Sequence, residues 1–265
     1  MIVGYSTDIG LIRERNEDAY YVGQNVFAIA DGMGGHSAGE IASFIAVNAV
    51  NKLPENTNAI PGSIESCFQS ANAKILEISK SFESTKGMGT TLTMAFIEKM
   101  TAFIGHVGDS RAYLISANEI KQLTSDHSVV AELIRSGCIS KDDARNHPQR
   151  NAIIRSLGNE DDVKVDILEV SVNFGDYLVL CTDGLHNMLS DDEIKNIILA
   201  SDSPQAASDR LIDFSKLRGG HDNISVVIVY FDDEETQIKE TSITIRNFED
   251  DRLKDAFKEF DNAEA

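Results

Sequence analysis

The stretch Thr91-Leu92-Thr93-Met94-Ala95-Phe96-Ile97-Glu98-Lys99-Met100-Thr101-Ala102-Phe103-Ile104-Gly105-His106-Val107 decides the fold class. Two strand-like runs, Thr91 to Glu98 and Thr101 to Val107, are separated only by Lys99-Met100. A two-residue connection pairs its flanking runs as an antiparallel hairpin, because parallel neighbours need a crossover of a dozen or more residues. Outward from the hairpin, Arg111 to Ile115, Lys164 to Val170, Asp176 to Cys181 and Ile224 to Phe231 also read as strands. Val26 to Ala30 is short, apolar and stopped by Asp31-Gly32.

Helical spacing fills the gaps. Ala38, Ile41, Ala42, Ile45 and Ala49 recur on one face, as do Ile64, Cys67, Phe68, Ala71, Ile75 and Ile78. Ser190-Asp191-Asp192-Glu193 is a capping box that starts a helix toward Ala200. Ser203-Pro204 places an N-cap before a proline at the first helical position, and that helix is expected to end before Gly219-Gly220. Helices between clusters of antiparallel strands predict an α+β fold rather than a doubly wound parallel sheet. Arg135 to Gly158 breaks the pattern and reads as a long, partly helical surface insertion beside a site.

The chain has 265 residues, of which 43 are acidic and 24 basic, a formal charge of −19. A surface this negative repels nucleic acid and anionic membranes, so neither is expected as a partner. No apolar run approaches the ~20 residues a membrane span needs, and Met1 to Gly10 shows no secretory pattern. Cys67, Cys138 and Cys181 fit neither a disulfide framework nor a CxxC zinc site, so a reducing cytoplasm is the expected location.

Five aspartates sit where strands meet turns: Asp18, Asp31, Asp109, Asp183 and Asp222. Singly, an Asp-Gly pair is usually just a turn. As a set, Asp31 and Asp183 both follow apolar strands and precede glycine, and Asp222 immediately precedes the strand at Ile224. If these strands pack together, the carboxylates converge at one end of the sheets. Converging carboxylates repel one another and suit hard cations such as Mg²⁺ or Mn²⁺, whereas zinc prefers His or Cys. Two such ions about 3.5–4 Å apart can bridge a water and lower its pKa for attack on phosphorus. The carbonyl of Gly32 would be open as a further ligand.

Gly32-Met33-Gly34-Gly35 matches neither the dinucleotide fingerprint nor the P-loop, and Asp31 puts negative charge where a bound phosphate needs positive charge. Arg13 and Arg15 lie nearest the first acidic cluster. One guanidinium could grip a phosphate through two hydrogen bonds, or both could merely pair with Glu14 or Glu17 on the surface. His36 is a candidate proton relay, or a loop residue.

Together these motifs resemble the metal-dependent serine/threonine protein phosphatases of type 2C in their bacterial form. The resemblance runs from about Val3 to Tyr230. It rests on Arg13 with Asn16-Glu17-Asp18, Asp31-Gly-Met-Gly-Gly-His36, Gly87-Met-Gly-Thr-Thr91 and Gly108-Asp-Ser-Arg111. It continues through Asp126-His-Ser128, His147-Pro148, Asn151, Arg155-Ser-Leu-Gly158, Thr182-Asp-Gly184 and Gly220-His-Asp-Asn223. The resemblance implies two antiparallel sheets packed face to face as a sandwich, with helices outside. It implies two Mn²⁺ or Mg²⁺ ions bridged by Asp31, with Gly32, Asp183 and Asp222 as ligands and Asp18 reaching the second ion mainly through water. Asp109 and Asp183 match a third, weaker metal, and Arg13 matches the phosphate-binding arginine. Arg135 to Gly158 matches a mobile flap. Met33 stands where animal members carry a general-acid histidine, which leaves His36 or a metal-bound water for proton delivery.

The implied reaction is direct hydrolysis of phosphoserine and phosphothreonine in proteins, with no phosphoenzyme, opposing a bacterial serine/threonine kinase. The competing class is a pseudophosphatase that holds phosphoproteins without cleaving them; a phosphatase dedicated to one regulatory protein, such as a phosphorylated anti-sigma antagonist, changes the substrate only. The expected organisation is a monomeric phosphatase domain over 1–231 and an acidic tail over 232–265. That tail carries 12 acids and 5 bases, and Leu253, Ala256, Phe257 and Phe260 share one helical face. It reads either as an amphipathic helix or as a frayed end.

Overall fold

The computed structural model describes residues 1–34, 38–54, 59–144, 147–232 and 242–243. Two antiparallel sheets stack face to face. One contains β1 (Ile2–Asp8), β11 (Ile224–Tyr230), β10 (Tyr177–Cys181), β7 (Arg111–Ile115) and β8 (Ile120–Gln122), in that order. The other runs β12 (Ser242–Ile243), β2 (Asp18–Val22), β3 (Val26–Met33), β5 (Leu92–Glu98), β6 (Thr101–Val107) and β9 (Asp166–Ser171). A short β4 (Gly89–Thr90) pairs with the end of β3.

The hairpin forms as its spacing predicts: Glu98 pairs with Thr101 and Leu92 with Val107. Lys99 takes the turn in the left-handed region, at φ 55°. Period-two alternation then divides the strands between two apolar seams. Leu92, Met94 and Phe96 face the helices α1 (Ala38–Asn51) and α2 (Ile60–Ser81), whereas Ala95, Ile97, Ala102 and Ile104 face the opposing sheet. A third seam packs Val179, Cys181, Val226 and Ile228 against α6 (Asp191–Leu199) and α7 (Pro204–Leu217). Three buried seams make four layers, the α+β sandwich of the sequence reading.

Both helix-start signals act as read. Ser190 and Glu193 form the reciprocal capping box of α6, and the Ser203 hydroxyl accepts Ala206 N–H at the start of α7. Several differences concern strands, and β8 is one that the sequence reading did not give. β3 does not stop at Asp31-Gly32 but runs to Met33, because β4 supplies Thr90 and Gly89 as partners. β1 and β2, which carry little apolar alternation in sequence, are recruited by β11 and β3. Ser242–Ile243 adds an edge strand beside Tyr21 and Val22, while the helical face Leu253 to Phe260 lies outside the described residues. Among the described residues, no helix is long and apolar enough to cross a membrane.

Candidate active site

The seam between the sheets is apolar through most of its length and turns polar at one end. Alternation dictates this. Tyr20 and Val22 on β2, and Phe27 and Ile29 on β3, pack in that seam, so Asp18 and Asp31, two residues further along each strand, point to the same side. The two aspartates are cross-strand partners in the β2–β3 register. From the other sheet come Thr182, just after β10, and Ser225 on β11. Their hydroxyls donate to Asp18 Oδ2 at 2.9 and 2.7 Å. Asp18 is 1% exposed, so it joins the two sheets as well as charging the site.

Asp31 N–H donates to Thr91 Oγ1 at 2.9 Å, and its carbonyl accepts Thr91 N–H at 2.9 Å. Gly32 next to it permits a close crossing: a Cβ there would lie 2.1 Å from the Gly39 carbonyl oxygen. Asp183 opens the short α5 (Asp183–His186), where its Oδ2 accepts Asn187 Nδ2 at 3.1 Å. Asp109 follows Gly108 at the end of β6 and is buried; its carbonyl accepts His186 Nε2–H at 3.0 Å. The Oδ1 atoms of Asp109 and Asp183 are buried with no hydrogen-bond partner among the described residues. Unpartnered buried carboxylate oxygens are costly unless a cation or a proton meets them.

Charge confirms the crowding. Burial pushes Asp18 up to about 7, against the two hydroxyl hydrogen bonds that favour its ionised form. Burial, then the charges of Asp18 and Asp183, holds Asp31 well above the ordinary range. Asp109 is pushed up to about 8 by burial and by Asp183, and Asp183 to about 6 by burial and by Asp222. All donors are hard oxygens, which fits Mg²⁺ or Mn²⁺ and not zinc. Among the described residues, no three acidic, His or Cys side chains already close on one point. Asp222 is held by a cation of the chain itself: its Oδ2 accepts Arg13 Nη2–H at 2.7 Å.

That ion pair joins the phosphate-binding candidate to a ligand candidate, a contact no spacing argument revealed. It is half-exposed, with Arg13 at 48% and Asp222 at 28%, so it contributes little stability and exchanges readily. Asn223 organises the loop around it. Its Nδ2 donates to the carbonyls of Ile9 and Arg15 at 3.0 and 2.9 Å, and its Oδ1 accepts Glu17 N–H at 2.8 Å. Ser225 was not singled out from sequence, and Thr182 and Asn223 entered only as members of the resemblance motifs with no role of their own, because a hydroxyl or amide beside an Asp carries no spacing signal. His36 lies outside the described residues. Arg15 sits 3.8 Å from Glu40 instead of turning inward. Arg111 and Asp126, from two of the sequence motifs, form a bidentate pair with bonds of 2.9 and 2.7 Å, which ties β7 to the following loop.

The sequence profile described as Protein phosphatase 2C matches residues 13–211, a span that includes four of the five aspartates and Arg13. The chain belongs to the protein phosphatase 2C family. Its relatives in that family include the "Serine/threonine phosphatase stp" of Listeria welshimeri, 41% identical over 236 residues that cover 85% of this chain and 94% of that protein. Among solved phosphatase 2C structures, the Mycobacterium tuberculosis serine/threonine phosphatase PstP/Ppp superposes with a TM-score of 0.83 at 33% identity, covering 88% of this chain and 100% of that one. The catalytic domain of serine/threonine phosphatase PstP in complex with two manganese ions gives 0.80 at 30% identity, covering 92% and 98%.

The upward shifts have a consequence for this phosphatase 2C chain. Groups whose folded pKa is raised contribute stability that is fully present below the ordinary aspartate value, ~3.9, and lost as pH rises through the folded values, here about 6, 7 and 8. In the presence of chelator, the melting temperature is therefore expected to fall as pH rises from about 5 to about 9. Saturating Mn²⁺ should flatten that slope, and calorimetry should record proton release on binding. A melting temperature that climbs across this window in chelator would contradict the assignment.

Proposed function

We propose that the chain is a phosphoserine/phosphothreonine protein phosphatase that works with two Mn²⁺ or Mg²⁺ ions and takes up a third more weakly. The observation that supports this reading is the polar end of the inter-sheet seam, where the charges of Asp18, Asp109, Asp183 and Asp222 all act on the buried Asp31 and Arg13 pairs with Asp222. Asp31, the Gly32 carbonyl, Asp183 and Asp222 would hold the core pair, Asp18 would reach it mainly through water, and Asp109 with Asp183 would hold the third ion. Bound divalent ions supply Lewis-acid stabilisation of charge on the phosphoryl oxygens and make water a nucleophile near neutral pH.

The chain's own residues set the geometry. Thr182 and Ser225 fix Asp18 Oδ2, so this carboxylate keeps its orientation through turnover. Arg13 exchanges Asp222 for the incoming phosphate, whose oxygens accept two guanidinium hydrogen bonds. The loop that carries Arg13 is held by Asn223, so the exchange needs side-chain rotation only. Residues 135–158 are the proposed flap. Water attacks phosphorus directly and no phosphoenzyme forms; His36 is the proposed proton relay to the leaving oxygen. The substrates are phosphorylated proteins in the cytoplasm, the opposing activity is a serine/threonine kinase, and the enzyme acts as a monomer built on residues 1–231, with 232–265 as an appended acidic segment.

The test is phosphate release from phosphoserine, phosphothreonine and phosphotyrosine peptides with Mn²⁺, Mg²⁺ or chelator. Release from the first two in either metal, and loss in chelator, is expected. Activity that survives full chelation would overturn the metal-dependent reading, and binding of phosphopeptide without release would favour a pseudophosphatase.

A further inference from the structure

His127 stands outside the carboxylate cluster, yet it takes both backbone groups of Gly108, the residue before Asp109. Its backbone N–H donates to the Gly108 carbonyl at 2.7 Å, and its ring Nδ1 accepts Gly108 N–H at 3.0 Å. A ring nitrogen that accepts carries no proton, so the imidazole proton sits on Nε2. There it faces Asp166 Oδ2 at 3.2 Å. Arg155 donates from Nη1 to Asp166 Oδ1 at 2.7 Å, and the same nitrogen lies 2.8 Å from His127 Nε2. Two donors thus crowd one carboxylate, and with the proton on Nε2 the 2.8 Å approach of Arg155 Nη1 is a donor–donor contact rather than a hydrogen bond. Burial, then the Arg155 charge, pushes the His127 pKa down, in keeping with a neutral ring.

Gly108 is confined from the opposite side as well. It sits at φ 114°, and a Cβ there would lie 2.5 Å from the Thr91 side chain. The turn that presents Asp109 is therefore wedged between Thr91 and His127. His127 is in turn stitched to the segment before Arg155: its carbonyl accepts Ile154 N–H at 2.8 Å, and the Ala152 carbonyl accepts Val129 N–H at 2.9 Å. The Asp109 carboxylate leaves Oδ1 with no hydrogen-bond partner among the described residues, and it is hydrogen-bonded by its own backbone. Its location depends on the backbone that carries it.

We infer that His127 is a positioning residue for Asp109, acting through the Gly108 amide, with Asp166 and Arg155 holding its ring in the accepting orientation. The inference rests on the proposed role of Asp109 as a cation ligand, and its test separates the two.

Two amides divide the ring's functions. His127→Asn puts an oxygen near the place of Nδ1 and keeps an acceptor for Gly108 N–H, while His127→Gln reaches toward Asp166 and loses that acceptor. Hydrogen exchange followed by NMR on the full chain in chelator should show the Gly108 amide slow in the native protein and in His127→Asn, and at least about tenfold faster in His127→Gln. Calorimetric titration with Mn²⁺ alone should show the weakest binding event shifted by about 10–100-fold in His127→Gln, the loss typical when a group supporting a metal ligand is removed, and near native in His127→Asn. Asp166→Ala, which leaves the buried ring in place and frees its orientation, should move both readouts in the same direction and covers the case in which the glutamine variant fails to fold. Unchanged Gly108 exchange in His127→Gln or Asp166→Ala, or equal loss in the Asn and Gln variants, would overturn the role of His127. A native Mn²⁺ isotherm in Asp109→Asn would instead overturn the cation reading of Asp109, while the exchange data still judge His127.

Discussion

Asp31→Asn is expected to leave the chain folded, to raise its melting temperature in chelator, and to abolish most of its phosphatase activity. The reasons are one and the same. Asp31 lies among Asp18, Asp183, Asp109 and Asp222, and burial with their charges opposes its ionisation. Asparagine is nearly isosteric and uncharged, so it keeps the backbone bonds to Thr91 and removes one charge from a repelling cluster. The native protein should gain stability from Mn²⁺, about 2.7 kcal/mol at a concentration 100 times the dissociation constant; the variant should gain far less. Turnover of a phosphothreonine peptide should fall by about 10²–10³-fold or more, as when one group that stabilises developing charge is removed. Differential scanning calorimetry with and without Mn²⁺, beside peptide kinetics, checks all three. Normal turnover at saturating Mn²⁺ would sink the assignment of Asp31 to the metal site.

Gly184→Ala is expected to disable the site by a different route. A Cβ at Gly184 would lie 2.0 Å from the Asn223 carbonyl oxygen and 3.3 Å from Ile224 Cγ1. Neither is the loose end of a flexible chain, so the start of β11 must move. Asp222 and Asn223 move with it, and through Asn223 so does the loop held at Ile9, Arg15 and Glu17. Overpacking of this kind costs about 1–3 kcal/mol, which is roughly 2–4 °C in melting temperature per kcal/mol for a domain of this size. The kinetic effect should be larger than the stability effect, because the Gly184–Asn223 approach sets the backbones that carry Asp183 and Asp222. Melting and kcat/KM on the same peptide test this. A variant with native kcat/KM would show that the Gly184–Asn223 approach does not set the site.

Much of the architecture was legible because it follows from local chemistry. The two-residue gap at Lys99-Met100 could only join antiparallel neighbours, and Ser190 with Glu193 could only start a helix. Helical spacing in Ile64 to Ile78 named the residues that α2 buries. β1 and β2 were not legible, since each is held by a partner distant in sequence rather than by its own pattern: Ile2 pairs with Tyr230, and Asp18 with Asp31. The short β4 rescues the bonding of Gly32 and Met33, so a strand that looked finished at Asp31 continues.

The candidate site divides in the same way. The five aspartates and the cation chemistry came from residue type and turn position, which are local properties of the chain, whereas the choice of Arg13 over Arg15 came from the family resemblance. The sequence by itself determined the donor atoms, their charge and their place at strand ends. Only the tertiary structure decided that Asp18 is held by Thr182 and Ser225 from the opposing sheet, that Arg13 rests on Asp222, and that His127 grips Gly108. These contacts join residues 19 to 209 positions apart. No spacing rule reaches across such distances, because hydrogen bonds and ion pairs form wherever packing of the two sheets brings polar atoms together. Packing of the sheets is set by the apolar seams, and the polar end of one seam inherits its geometry from them.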